Sequence, residues 1–168
     1  MATRAALSVR PATPLDVAAV DALLARSYGP LLRADYPPSV LVVALPRIAR
    51  AQPRLLASGH YFVAEEGGRP LGVGGWSRGD PHGGRPEQGV GHVRHVATDA
   101  RHARRGVGRA VLEAVMEDAA FHGTRRLCCL STLSAVPFYR AMGFHEEGRR
   151  ALAFGALGFP VVEMARAL

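Results

Sequence analysis

Residues 100–120, "ARHARRGVGRAVLEAVMEDAA", bring four arginines and two glycines to the start of an amphipathic pattern. A helix start leaves its first backbone N–H groups unpaired and carries the positive end of the macrodipole. Glycine lets the backbone approach an anion closely and accepts dihedrals that other residues resist. Gly106 and Gly108, with Arg101, Arg104, Arg105 and Arg109 around them, are therefore the parts of a phosphate cradle. Its amides would meet the oxygens and its guanidinium forks the charge. The plainer alternative is a glycine turn with solvated arginines. Two familiar phosphate loops are excluded. A Walker loop needs a lysine, and the chain contains none. A dinucleotide fingerprint needs a third glycine where Val111 stands, and an acid at the end of the next strand, which runs instead into "LSTLS".

The turn must be held by what flanks it. Ahead lies "VGHVRHVAT", a strand over 90–98. Behind lies a helix from about Gly106 to His122, with Val107, Val111, Leu112, Val115, Met116 and Ala119 on one face. Arg109, Glu113 and Glu117 take the other face, spaced to pair at i,i+4. Gly123 stops the helix, and "RRLCCLS" follows as a nearly continuous apolar strand, the pattern of a buried parallel partner. "SAVPFYRAMGF" reads as a short helix closed by Gly143, with Phe144 folding back as in a Schellman ending.

Upstream, a strand over 7–10 leads to Thr13 as N-cap, Pro14 at the first helical position and Asp16 in the first turn. Val17, Val20, Leu23 and Leu24 form the stripe of a helix that Gly29 is expected to end. Residues 30–58 suggest one or two short helices. "HYFVAEEGGRPLGVGGWS" is a hairpin, and "RGDPHGGRPEQG" a mobile loop. "FHEEGRRALAF" and "FPVVEMARAL" form a closing hairpin. A strand–helix–strand unit within a mostly antiparallel sheet argues a single α+β or α/β domain.

Composition narrows the classes. The 168 residues fit one domain, and 48% apolar with 21% charged residues is the balance of a globular protein. No run approaches the about 20 apolar residues of a membrane span, and the N-terminus lacks an apolar signal core. The expectation is a cytoplasmic protein with no membrane partner. Adjacent Cys128 and Cys129 point to opposite faces of a strand, which disfavours a disulfide between them. They offer no metal spacing, and no metal is expected. The net charge of +7 is entirely arginine, which suits a phosphorylated small molecule or nucleic acid. Absence of lysine also removes Schiff-base chemistry.

With these motifs in view, "VRHVATDARHARRGVGRAVLEAVMEDAAFHGTRRLCCLSTLSAVPFYRAMGF" resembles the core of the GCN5-related N-acetyltransferase (GNAT) superfamily. The resemblance rests on the A-x-x-G-x-G turn, the "PFYRAMGF" helix and the strand between them. It implies one GNAT-like domain over 1–168: a mixed, mostly antiparallel sheet of about seven strands flanked by about four helices, with a parallel, splayed central strand pair. It also implies acetyl-CoA as co-substrate, held through its pyrophosphate by Arg104, Arg105, Gly106, Val107, Gly108 and Arg109, and through its pantetheine arm by Val96, Ala97 and Thr98. Two positions depart from the family pattern. Ala103 stands where Gln or Arg is usual, leaving Arg101 or Arg104 to compensate, and Thr132 stands where an Asn often contacts the cofactor.

Acetyl transfer from a thioester to an amine needs a proton acceptor, an oxyanion donor and a proton for the thiolate. The resemblance implies Tyr139 as the acid, and a phenol with pKa near 10 can protonate a thiolate of similar basicity. A backbone N–H of the 93–98 strand suffices for the oxyanion. His95 is the preferred candidate base and His92 the second, with Glu65 and Glu163 as outsiders and bulk water as the acceptor if no protein base serves. On a regular strand the two histidines face opposite ways, so only one serves unless a bulge intervenes. The acceptor, a small amine or a peptide N-terminus, would bind among residues 28–36, loop 79–89 and the last hairpin, where Tyr28, Asp35, Tyr36 and Trp76 stand out. A homodimer is compatible with this reading. A non-catalytic acyl-CoA sensor would share the turn but release no thiol. A nucleic-acid binder is disfavoured, because the arginines are dispersed and aromatics make up only 7%.

Overall fold

The computed structural model describes residues 6–168. Strand β1 (Leu7–Pro11) leads into a capping turn in which Asp16 accepts from Thr13 N at 2.7 Å and Thr13 Oγ1 at 3.3 Å. Helix α1 (Val17–Leu32) follows, and it does not stop at Gly29: it continues through Pro30. Pro30 removes one helical hydrogen bond. Burial of Ser27 before it and Leu32 after it, at 1% and 2% exposure, keeps the chain in register against the core and offsets that loss. The two short helices between 30 and 58 are α2 (Pro38–Ile48) and α3 (Pro53–Leu56), each opening on a proline.

Strands β2 (Tyr61–Glu66) and β3 (Arg69–Ser77) form the first hairpin, turned by Gly67 and Gly68 at φ of 58° and 77°. Strand β4 (Val90–Thr98), helix α4 (Val107–Phe121) and strand β5 (Arg126–Thr132) form the strand–helix–strand unit. Helix α5 (Val136–Ala141) ends in the Schellman pattern, with Phe144 N donating to Tyr139 O at 3.0 Å and Gly143 N to Arg140 O at 3.0 Å. Strands β6 (His145–Phe154) and β7 (Leu157–Ala167) close the chain.

All seven strands belong to one sheet ordered β1-β2-β3-β4-β5-β7-β6, antiparallel except for β4 beside β5. Helix α4 covers one face with Val107, Val111, Leu112, Val115 and Ala119, all buried. On the other face, Val20, Leu23 and Leu24 of α1 pack with Leu55, Leu56, Tyr61, Val63, Val73 and Ala97. α4 lies so close to β3 that a Cβ on Gly74 would stand 2.8 Å from Val111 Cγ1 and 2.8 Å from Val96 Cγ2. Both cysteines are free, and burial raises both thiols above their ordinary range. Among the described residues no helix is long and apolar enough to cross a membrane.

Candidate functional site

The parallel pair is the opening in the sheet. β4 and β5 are paired only where Val90–His92 meet Arg126–Cys128. Beyond that point β4 keeps β3 on one side, β5 keeps β7 on the other, and the two strands separate into a wedge. The far half of β4 also carries a bulge. Arg94 pairs with Gly75 and Ala97 with Val73, so His95 and Val96 together face Gly74. His95 takes the left-handed conformation at φ 53°. A bulge interrupts the strand ladder and reverses side-chain parity beyond it. His92 and His95 consequently line the same cavity, and the opposite-face expectation of a regular strand does not apply.

At the end of β4, Asp99 is 1% exposed and holds the chain as it turns toward α4. Its carboxylate accepts from Arg101 N at 3.0 Å and pairs with Arg26 at 3.2 Å. Despite the opposing cost of desolvation, hydrogen bonds from Arg101 and Arg26 hold its pKa down at about 2. The turn that follows is left-handed at Arg104 (φ 62°) and at Gly106 (φ 81°), which caps α4. The first closed bond above it is Ala110 N to Gly106 O at 3.0 Å, so helix geometry leaves the amides of Val107, Gly108 and Arg109 open. A Cβ on Gly108 would meet Thr98 Oγ1 at 3.2 Å and Phe138 Cε2 at 3.4 Å, so the turn, the end of β4 and α5 converge at a point with no room for a side chain. Arg105 is tied to Glu66 at 3.2 Å, Arg109 to Glu113 at 2.9 Å and Arg101 to Asp99 at 3.5 Å. Arg104 is exposed and makes no ion pair among the described residues.

Inside the wedge a cavity of about 400 Å³ is lined by Tyr28, His92, Arg94, His95, Cys129 and Thr132, with residues of α2, loop 78–89, β6 and β7. It does not reach the turn or Val96–Thr98. Tyr139 lies behind its wall at 7% exposure, packed edge-on between Phe138 and Phe144 at 5.2 and 5.3 Å. Its hydroxyl has no hydrogen-bond partner among the described residues. Burial, with Cys129 and Tyr28 nearby, raises it well above 10, and Tyr28 is itself pushed up to about 12 by burial. Both phenols stay protonated across the physiological range.

Desolvation, with a smaller contribution from Arg94, pulls His95 down to about 4, and burial lowers His92 as well. His95 Nδ1 is buried without a partner, its ring edge-on to Tyr61 at 6.3 Å. An imidazole that binds its proton near 6.5 when unfolded but near 4 when folded lets the unfolded chain hold more protons between those values. Stability therefore rises with pH across that window and falls as pH drops through it. We expect the unfolding free energy of the wild type, from urea titrations, to decline from pH 6.5 to 4 by about 1–3 kcal/mol more than that of His95→Gln. Parallel curves would remove this assignment.

Several expectations change. Trp76 does not reach the cavity: it is 1% exposed against α4, donating from Nε1 to Asp118 Oδ2 at 2.7 Å. His60 joins the same carboxylate at 2.7 Å and His122 at 3.4 Å, so this polar cluster locks α4 to the first hairpin. Among the described residues these three are the group whose ligand atoms lie close enough, within 4.8 Å, to hold a metal ion. Tyr36 is structural, donating to Pro160 O at 2.7 Å, accepting from Leu133 N at 2.8 Å and stacking on Phe159 at 4.4 Å. Asp35 is exposed outside the cavity, and Glu65 pairs with Arg10 at 3.2 Å near the β1 edge. Glu163 does line the cavity, paired with Arg150 at 3.2 Å. Arg94, Arg47 and Asp99 were not anticipated. The "TD" ending β4 was the one local signal, since an acid closing a strand before an arginine-rich turn has cations to answer.

The sequence matches the acetyltransferase (GNAT) family over residues 26–144. It is 26% identical over 106 residues to the uncharacterised N-acetyltransferase YjcF of Bacillus subtilis, a span covering 63% of this chain and 69% of that protein. Among solved structures, a GCN5-related N-acetyltransferase from Rhodopseudomonas palustris, also described as a class-II aminotransferase, aligns with a TM-score of 0.77 at 19% identity, covering 100% of this chain and 99% of that one. The PaiA N-acetyltransferase of Thermoplasma acidophilum, solved in complex with coenzyme A, aligns with a TM-score of 0.67 at 9% identity, covering 97% and 99%. At these identities the structural likeness establishes the fold.

Proposed function

This chain belongs to the acetyltransferase (GNAT) family, and from that premise we propose that it transfers an acetyl group from acetyl-CoA directly to an amine. The observation that carries the proposal is that the left-handed, glycine-capped mouth of α4 meets the end of β4 at Thr98 and helix α5 at Phe138, beside the strand that opens into the β4–β5 wedge. We read residues 1–168 as one transferase domain, supported by a sheet that runs unbroken from β1 to β6.

The residues present fit the coenzyme. Open amides at Val107, Gly108 and Arg109, the clear space beside the left-handed Gly106, and the unpaired Arg104 suit a pyrophosphate. Arg105 and Arg109 would add charge despite their existing carboxylate partners. Ala103 contributes no contact, and Arg104 is the replacement we propose. The unpaired side of β4 at Val96–Thr98 suits the amides of a pantetheine arm, with Thr132 supplying a hydroxyl across the wedge. When bound, the coenzyme supplies an acetyl thioester.

The chain's own groups would do the rest. The bulge frees strand amides near Val96 to donate to the thioester oxygen as charge develops. Tyr139, kept protonated by burial, donates its O–H proton to the departing sulfur. Of the two imidazoles, His92 is the base we propose. A group titrating near 4, as His95 does, is a weak acceptor for an ammonium proton, and efficiency favours a base closer to the working pH. His95, whose ring lines the cavity, then helps to shape the acceptor site. Thiol release from acetyl-CoA across a panel of primary amines tests the reading. Amine-dependent release supports it, and coenzyme binding without amine-dependent release would leave a sensor instead.

A further inference from the structure

The cavity contains an unanswered positive charge, and its chemistry names the acceptor. Arg94 projects from β4 one residue before the bulge, half-buried, donating to Ser77 Oγ at 3.0 Å and to Gln52 Oε1 at 2.7 Å. Both partners are neutral, and no carboxylate of the described residues lies within ion-pair distance of it. On the facing side, Arg47 lies over the Phe154 ring at 5.4 Å and likewise makes no ion pair there. The acids of the cavity are mostly spent. Glu163 is matched by Arg150 at 3.2 Å and Glu147 by Arg126 at 2.5 Å. Asp80 remains, with one oxygen taken by His82 N at 2.8 Å. Asp80 attracts Arg94 from beyond ion-pair distance, and two guanidiniums without an ion pair against that one loop carboxylate still leave the site short of negative charge. A half-buried cation held only by neutral groups gains most from an anionic ligand, and guanidinium's planar fork fits the two oxygens of a carboxylate.

We infer that the acceptor is a primary amine bearing a carboxylate, an amino-acid-like molecule, with Arg94 as the residue that selects it. The inference rests on the proposed acetyl transfer. Arg94 directly precedes the bulged His95, so an anchored carboxylate places a nearby amine at the mouth of the wedge where the thioester would sit. A cavity of about 400 Å³ suits an acceptor of that size rather than a long polycation. The balanced reaction consumes the ammonium form and the thioester. A C–N bond forms, the C–S bond breaks, one proton goes to solvent by way of the base, and the products are an N-acetyl amino acid and the free thiol.

The test offers acetyl-CoA with three equimolar pools: the common amino acids, their C-terminal amides, and arylalkylamines with polyamines. Thiol release and product masses are both read. Product concentrated in the amino-acid pool, by about tenfold or more over the amides, is expected. Arg94→Gln should raise KM for the best amino acid by about 10- to 100-fold, with kcat within about threefold and the amide product unchanged. Arg94→Lys, which keeps the charge but loses the fork, should recover part of that loss. Amides or polyamines acetylated as well as amino acids, or an Arg94→Gln variant that lowers all pools equally, would overturn the carboxylate assignment and leave the transferase reading standing. No thiol release with any pool, from protein that binds coenzyme A, would overturn the transferase reading itself.

Discussion

Tyr139→Phe is expected to lower kcat by about 10²- to 10³-fold while leaving coenzyme A affinity within about threefold. The substitution removes one hydroxyl from a ring that stays packed between Phe138 and Phe144. That hydroxyl has no hydrogen-bond partner among the described residues, so its removal strands no buried group, and the melting temperature should move little. What disappears is a phenolic proton on α5 that burial keeps on its oxygen at every physiological pH. Steady-state kinetics beside a calorimetric titration with coenzyme A separate the two effects. Unchanged kcat would make the tyrosine a packing residue and return proton delivery to solvent.

Gly106→Val should raise the dissociation constant for coenzyme A by about 30- to 100-fold. Gly106 stands at φ 81°, where a residue with a Cβ costs roughly 1–2 kcal/mol and a β-branched one is a true outlier. No atom lies within 4 Å of where its Cβ would go, so the effect is conformational rather than a clash. The turn must relax, and its amides then lose their common aim. Because affinity changes about tenfold per 1.4 kcal/mol, strain and lost hydrogen bonds together reach that range. Full coenzyme affinity in a folded Gly106→Val protein would show that the phosphate is held elsewhere.

The parts legible in the sequence are those fixed by local patterns. β4 at 90–98 and α4's buried face follow from periodicity, and the α5 ending follows from Gly143 and the apolar Phe144 behind it. The turn was legible because glycine and arginine announce both backbone freedom and charge. What escaped depends on partners distant in sequence. Gly29 and Pro30 look like a stop, yet burial on both sides carries α1 through them. The bulge that brings His92 and His95 together is set by Gly74 across the ladder, more than 15 residues away. Trp76 looked like a pocket aromatic until Asp118 of α4 took its N–H. Arg94 was one arginine among many, and only the neutrality of Ser77 and Gln52 singles it out.

The most direct test of the central claim, that the mouth of α4 aims a thioester at Tyr139, is a crystal structure with acetyl-CoA bound. The account predicts pyrophosphate oxygens about 2.7–3.2 Å from the amides of Val107, Gly108 and Arg109, with the sulfur in the β4–β5 wedge beside the Tyr139 hydroxyl. A coenzyme seated anywhere else, with those amides facing solvent and the wedge closed, would contradict it.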